Sequence, residues 1–403
     1  MNNNSTEIKI AIESMTSCQG NCTGCLLGVS EKKEENLFLF DSILNKIPLL
    51  VRELERNIKN LDCITPLFGQ GDHLNMNLEQ KHKLAKSAFD IHQGKGEAAV
   101  SLSGLGKYED IVKGIDELYE ASFINNNSLY PVIVLDFKKA NNKKYKPIYE
   151  RNINYVRQKF QSLDLAMNIG PDTLDNISPK ELHSFIIHNG FKHIQFNLLP
   201  TLASQFLFNE RWSEIIFWIK DFYENWSLDA NYEIDFGFLL NRLIKETENL
   251  DISEVKRYIQ HHFKYELYID AIGDVYLIQG GGTGDAIPYS NRYGYKPISN
   301  IIKDDIKLII KKIVLASTKL TSEILKQTNL DLECNVCKYK NACMSSGFFL
   351  TKSIMRDVVK PVNDKCHIGY LELFESVEKR RQIIGNHISI LDNKGDLNRN
   401  INF

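Results

Sequence analysis

Ile8-Lys9-Ile10-Ala11-Ile12-Glu13-Ser14 is an apolar stretch that reads as a first strand, and a few residues later comes Cys18-Gln19-Gly20-Asn21-Cys22-Thr23-Gly24-Cys25. The run is C-x3-C-x2-C, placed in the loop just past the strand. Three thiolates so close together can hold three irons of a cubane [4Fe-4S] cluster and leave the fourth iron without a protein ligand. Such an iron is open to a substrate or a cofactor.

Working outward, strands and helices take turns. Strand candidates after Ile8–Ser14 are Cys63–Phe68, Ala98–Ser103, Tyr130–Phe137, Leu163–Ile169 and His193–Leu199. Helical spacing of apolar residues fits Leu37–Lys59, Leu78–His92, Tyr108–Ala121, Ile148–Phe160, Pro179–His188 and Ser204–Glu224. Six strand–helix units imply a parallel sheet, because parallel neighbours need a crossover, and the right-handed crossover curls them toward a barrel. Six units leave an eight-unit barrel incomplete. In such barrels chemistry gathers at the C-terminal ends of the strands, where the three cysteines fall.

From about Ser227 the rhythm changes. Asn231–Leu250 and Ser253–His262 look helical, and Tyr265–Asp270, a turn at Gly273 and Val275–Gln279 read as a β-hairpin. Gly280-Gly281-Gly282-Thr283-Gly284 lacks the Lys-Ser/Thr of a phosphate loop and reads as a plain turn. A helix pair is expected over Asp304–Ala316 and Thr321–Gln327, before a second cysteine group at Cys334, Cys337, Cys343 and Cys366. Four thiolates match either a closed [4Fe-4S] cluster or a structural zinc site. The expected division is residues 1–226, 227–330 and 331–403.

Composition narrows the classes. With 403 residues, 43% hydrophobic, the chain can bury a large core. Lys+Arg 49 against Asp+Glu 51 gives a formal net charge of -2, so no basic field points to nucleic acid. The N-terminus has no basic region followed by an apolar core, and no apolar run is long enough to span a membrane, so a cytoplasmic location is expected. Eight cysteines, seven of them clustered at ligand-like spacings, indicate metal binding rather than disulfides in a reducing compartment. Cys63, alone in an apolar strand, reads as a small core hydrophobe, and His261-His262 has no partner at metal-binding spacing.

The first cysteine run and its place after the first strand resemble the radical S-adenosylmethionine (radical SAM) enzymes, and C-x2-C-x5-C with a distant fourth cysteine resembles their C-terminal SPASM extension. The resemblance implies an α/β fold: a partial (βα)6 TIM-like barrel with a C-terminal α+β SPASM-like iron-sulfur extension. It implies a SAM-binding [4Fe-4S] cluster on Cys18, Cys22 and Cys25, a second, auxiliary [4Fe-4S] cluster on Cys334, Cys337, Cys343 and Cys366, and SAM itself. Gly69-Gln70-Gly71-Asp72 stands where the family meets the amino group of SAM, with Asp72 able to pair with the ammonium. Ser101, Ser103, Asp136, Asn168 and Asn197, at strand ends, are further candidate SAM contacts, and Asp235 and Asp270 are conceivable proton acceptors.

The chain also departs from the family pattern. Gly347 stands where another SPASM cysteine is usual, the Gly273-Asp274-Val275-Tyr276-Leu277 hairpin carries no cysteine, and Gly24 replaces the aromatic residue usual before the last cysteine of the first run. One auxiliary cluster is therefore expected, and adenine packing from elsewhere. By the same resemblance the activity is reductive cleavage of SAM to a 5'-deoxyadenosyl radical, hydrogen abstraction from a precursor peptide, and a carbon-carbon or thioether crosslink. An external reductant protein would supply the electron. No leader-binding domain is expected ahead of a strand that begins by Ile8, so leader recognition would need a separate protein or the C-terminal region. The rival readings are a small-molecule dehydrogenase or epimerase, as on an aminoglycoside, a peptide epimerase, and a zinc-stabilised interaction protein without catalysis.

Overall fold

The computed structural model describes residues 6–14, 37–58, 61–69, 71–104, 106–135, 137–160, 163–198, 209–227, 233–235, 244, 249–251, 253–254, 265–279, 296–327, 332–345 and 359–392. The chain runs β1 (Thr6–Glu13), α1 (Leu37–Asn57), β2 (Leu61–Gly69), α2 (Leu78–His92), β3 (Ala98–Leu102), α3 (Tyr108–Ile124), β4 (Leu129–Val134), α4 (Phe137–Ala140), α5 (Lys146–Lys159), β5 (Asp164–Ile169), α6 (Pro171–Asn176), α7 (Pro179–Asn189) and β6 (His193–Leu198). Next come a helix over Trp212–Ser227, then β7 (Glu233–Asp235), β8 (Tyr265–Ile269), β9 (Asp274–Gln279) and β10 (Ser299–Asn300). Helices over Ile306–Gln327, Leu332–Asn335, Lys340–Ser345 and Tyr370–Asp392 complete it.

Neighbouring strands from β1 to β7 pair in parallel, in sequence order, which is the strand–helix alternation expected of a partial barrel. Among the described residues β7 and β10 are the two edges of the sheet, and no pairing joins them. Helix ends follow their capping residues: Asn77 and Gln80 form a reciprocal capping box that starts α2, Ser178 and Glu181 form another that starts α7, and Gly190 ends α7 in the left-handed conformation.

The pleat sorts the side chains. Ile8, Ile10 and Ile12 of β1, Ala98, Val100 and Leu102 of β3, and Leu165, Met167 and Ile169 of β5 are buried under the helices in the main core. Each large aliphatic side chain so buried contributes roughly 1.5 to 3 kcal/mol. Ala99, Val132 and Ala166, at the alternate positions, form a separate small cluster with Leu67 and Tyr130 on the opposite face.

Three expectations are corrected. Residues 130–137 do not form one strand: β4 stops at Val134 and buried Phe137 opens α4, although the Leu135 N–H still bonds the Ala166 carbonyl at 2.8 Å. The helix expected from Asn231 begins instead as strand β7, in register with His193–Gln195, because an open sheet edge recruits a short Glu-Ile-Asp segment that periodicity assigns to a helix. The pair expected over 304–316 and 321–327 is one helix, Ile306–Gln327, since the Ser317 and Thr318 hydroxyls both donate back to the Val314 carbonyl and leave the helix unbroken. The hairpin β8–β9 is present, but β8 also pairs in parallel with β1, so the hairpin and β10 extend the barrel sheet. Residues 255–262 and the glycine loop 280–284 lie outside the described residues.

Candidate active site at the strand ends

β8, β1, β2 and β3 are consecutive in the sheet and all parallel, so their C-terminal ends form one rim. Ser14 follows β1 there and is the last described residue before the loop of Cys18, Cys22 and Cys25, which itself lies outside the described residues. Gly69 ends β2; Gln70 is likewise outside. Among the described residues, a Cβ built on Gly69 would meet Leu67 Cγ at 4.0 Å, an ordinary van der Waals distance.

Asp72 is turned inward. Its carboxylate accepts from the Leu74 N–H at 3.3 Å, capping the short helical turn His73–Asn75, and from the Ser103 hydroxyl. The side chain is 1% exposed, and burial pushes its carboxyl above the ordinary value, against the lowering effect of those hydrogen bonds. Asp72 and Ser103 are thus brought together as the strap of the turn. Ser101 donates its hydroxyl to the Gly71 carbonyl at 3.1 Å.

His73, completely buried, is the residue that motif reading missed. Its Nδ1–H donates to the Ser101 carbonyl at 2.8 Å, which leaves Nε2 to accept the Ser14 hydroxyl at 2.6 Å. Burial pulls its pKa down to about 4, so the ring is neutral at physiological pH. A histidine next to a glycine turn carries no sequence signal that separates it from a surface histidine; only the packing does.

Across β1, Glu13 accepts from the Tyr268 hydroxyl at 3.0 Å and the Ala271 N–H at 3.3 Å. Asp270, just past β8, accepts from the N–H groups of Ile272 (3.1 Å) and Asp274 (2.8 Å) on one oxygen and from the Tyr276 hydroxyl (3.3 Å) on the other. Burial raises its pKa to about 6, with the nearby Asp274 and Glu13 charges adding to the rise and backbone N–H bonds opposing it. The structure thus makes Asp270 the clasp of the β8–β9 turn. Asn168 and Asn197 are register partners near the ends of β5 and β6, and Asp235 ends β7 opposite Gln195; Asp136 lies outside the described residues.

The second cysteine group spans two short helices and the loop before the last one. The Cys337 N–H reaches the Cys334 carbonyl at 3.3 Å, and Cys343 N–H the Tyr339 carbonyl at 2.9 Å. The His367 N–H donates to Glu333 at 3.4 Å, which brings the Cys366 loop back against the Cys334 turn. All four thiols are partly exposed and none is in a disulfide. The donor set suits a cubane cluster or zinc. Among the described residues no three His, Cys, Asp or Glu side chains are arranged to hold a metal ion, so the thiols would have to close in on one. The loop is fixed to the barrel: the Trp212 indole N–H donates to the Ile368 carbonyl at 2.9 Å, Tyr370 packs edge-on to Trp212, and the Arg380 guanidinium lies 3.3 Å over the Trp226 ring.

No protein-family model and no curated protein matches the chain. Among solved structures, it is similar to anSMEcpe with bound AdoMet and the Cp18Cys peptide (TM-score 0.55, 13% identity, 95% of this chain and 99% of that one). It is similar also to SuiB of Streptococcus suis bound to the precursor peptide SuiA (TM-score 0.52, 11% identity, 89% of this chain and 75% of that one). This chain has their fold. The likeness runs through both the barrel and the C-terminal extension, since it covers nearly the whole of this chain. Among the described residues no helix is long and apolar enough to cross a membrane.

Proposed function

We propose that this chain is a radical SAM enzyme that modifies a precursor peptide. The observation that carries the reading is the C-x3-C-x2-C loop leaving the C-terminal end of β1, on a rim whose next strand ends in glycine backbone, within a fold shared with proteins solved bearing AdoMet and peptide. Cys18, Cys22 and Cys25 would hold a [4Fe-4S] cluster, and the Gly69–Gly71 backbone would meet the SAM amino group. Together cluster and SAM would supply radical chemistry able to abstract hydrogen from an unactivated C–H bond. This chain's own residues bind and orient. The Ser101 and Ser103 hydroxyls hold the turn after β2, donating to the Gly71 carbonyl and the Asp72 carboxylate, and Asn168 and Asn197 stand opposite each other in register on β5 and β6.

On this reading residues 1–226 carry the radical chemistry, 227–330 link, and 331–403 hold an auxiliary cluster on Cys334, Cys337, Cys343 and Cys366. The edge at β7, the last strand of the sheet among the described residues, would be the side for an extended peptide to enter. The finer proposal is a carbon-carbon or thioether crosslink in a ribosomally made precursor, with an external reductant protein and a separate leader-binding protein as partners. The test is anaerobic reconstitution followed by iron and 5'-deoxyadenosine assays. Roughly eight irons per chain, falling to about four with loss of SAM cleavage in a Cys18/Cys22/Cys25 to Ala variant, support it. Colourless, zinc-loaded protein that leaves SAM intact overturns it. Incubation with a precursor peptide should then remove two hydrogens from its mass.

A further inference from the structure

We infer that His73 is a positioning residue that locks the stem of the first cysteine loop to the glycine turn after β2. This rests on the radical SAM reading for its purpose, though the contacts stand without it. One fully buried ring touches two strand ends: Nε2 takes the Ser14 hydroxyl at 2.6 Å and Nδ1–H gives to the Ser101 carbonyl at 2.8 Å. Ser101 in turn donates to the Gly71 carbonyl at 3.1 Å. The ends of β1 and β3 and the turn that follows β2 are therefore joined through a single imidazole. Ser14 is itself buried, four residues ahead of Cys18, and Gly71 lies in the turn assigned to the SAM amino group.

The arrangement needs histidine. A neutral imidazole presents one donor and one acceptor on opposite sides of a rigid ring. Asparagine keeps an N–H near the Nδ1 position and stops short of Ser14, whereas alanine leaves the Ser101 carbonyl and the Ser14 hydroxyl both unpaired. On the radical SAM reading the cluster loop and the SAM turn would have to be held in one geometry, and outer partners that position a metal site change its affinity or activity by about 10- to 100-fold when removed.

The experiment compares Ser14→Ala, His73→Asn, their double variant and Ser14→Thr, all reconstituted anaerobically. Each is measured for SAM Kd by equilibrium dialysis, iron per chain, thermal midpoint, and hydrogen exchange at residues 9–14 and 69–74. Expected are a rise in Kd of about 10-fold in both single variants, no further rise in the double variant, rescue by Ser14→Thr, and wild-type iron content. Ser14→Ala should also speed exchange at 71–74, although it alters only β1. An unchanged Kd with a lowered midpoint would make His73 a packing residue, and multiplied effects in the double variant would mean two unrelated contacts; either outcome sinks the inference. Should the wild type bind neither iron nor SAM, the radical SAM reading falls, and the exchange at 71–74 decides the clamp alone: no change there refutes it.

Discussion

Replacing Asp270 with asparagine should make the protein progressively more stable than wild type as pH rises. The carboxyl is 5% exposed, and burial lifts its pKa from 3.8 to about 6 in the folded state. Below about pH 4 it is protonated in both folded and unfolded chains and contributes no difference. Between 4 and 6 the unfolded chain gives up its proton while the folded one keeps it, so wild-type stability falls by about 1.4 kcal/mol per pH unit, reaching about 3 kcal/mol above pH 6. Asparagine has the same shape, keeps an oxygen for the Ile272 and Asp274 N–H groups, and turns its NH₂ toward the Tyr276 oxygen, so it holds the turn without the charge. Urea midpoints followed by tryptophan fluorescence suit the purpose, because Trp212, Trp218 and Trp226 all sit in the core on one helix. The stability difference, variant minus wild type, should grow by about 3 kcal/mol from pH 4 to pH 7. A difference that stays constant over that span would refute the buried, raised carboxyl. His73→Asn should do the reverse: the histidine pKa, lowered from 6.5 to about 4, costs wild-type stability as pH falls below 6.5, so the variant gains on wild type in acid.

Lys81, 1% exposed at its side chain, is paired at 2.6 Å with Glu117, so Lys81→Met should cost about 1 to 3 kcal/mol in urea unfolding by leaving that carboxylate only the longer pair with Lys113 at 3.9 Å, and adding Glu117→Gln should recover most of it. Trp212→Phe removes the N–H that holds the Ile368 carbonyl; a loss of about 1 to 2 kcal/mol is expected, with faster alkylation of Cys366 than of Cys334 in metal-free protein. Gly190 sits at φ +63° with a built Cβ 2.8 Å from the Arg157 guanidinium, and Gly190→Ala should lower stability by about 1 to 2 kcal/mol, read from the same unfolding curves.

Local patterns determined much of this protein. The alternation of strands and helices through β6 and the β8–β9 hairpin follow from apolar periodicity and turn residues, which act over a dozen positions at most. The cysteine spacings likewise lie in short runs, apart from the distant Cys366. Tertiary structure alone decided the rest, because it concerns partners distant in the chain. β8 adds to β1 in parallel across more than 250 residues, Ile8 opposite Tyr265, and nothing in either segment names the other. β7 forms at 233–235 because β6 offers an unpaired edge, not because the segment asks to be a strand. Asp72 reads as a ligand for an ammonium until the fold sets the Ser103 hydroxyl against it, and His73 is unremarkable until the ends of β1 and β3 close around it. A hydrogen bond inside a core is specified by which surfaces pack together, and that is a property of the whole chain.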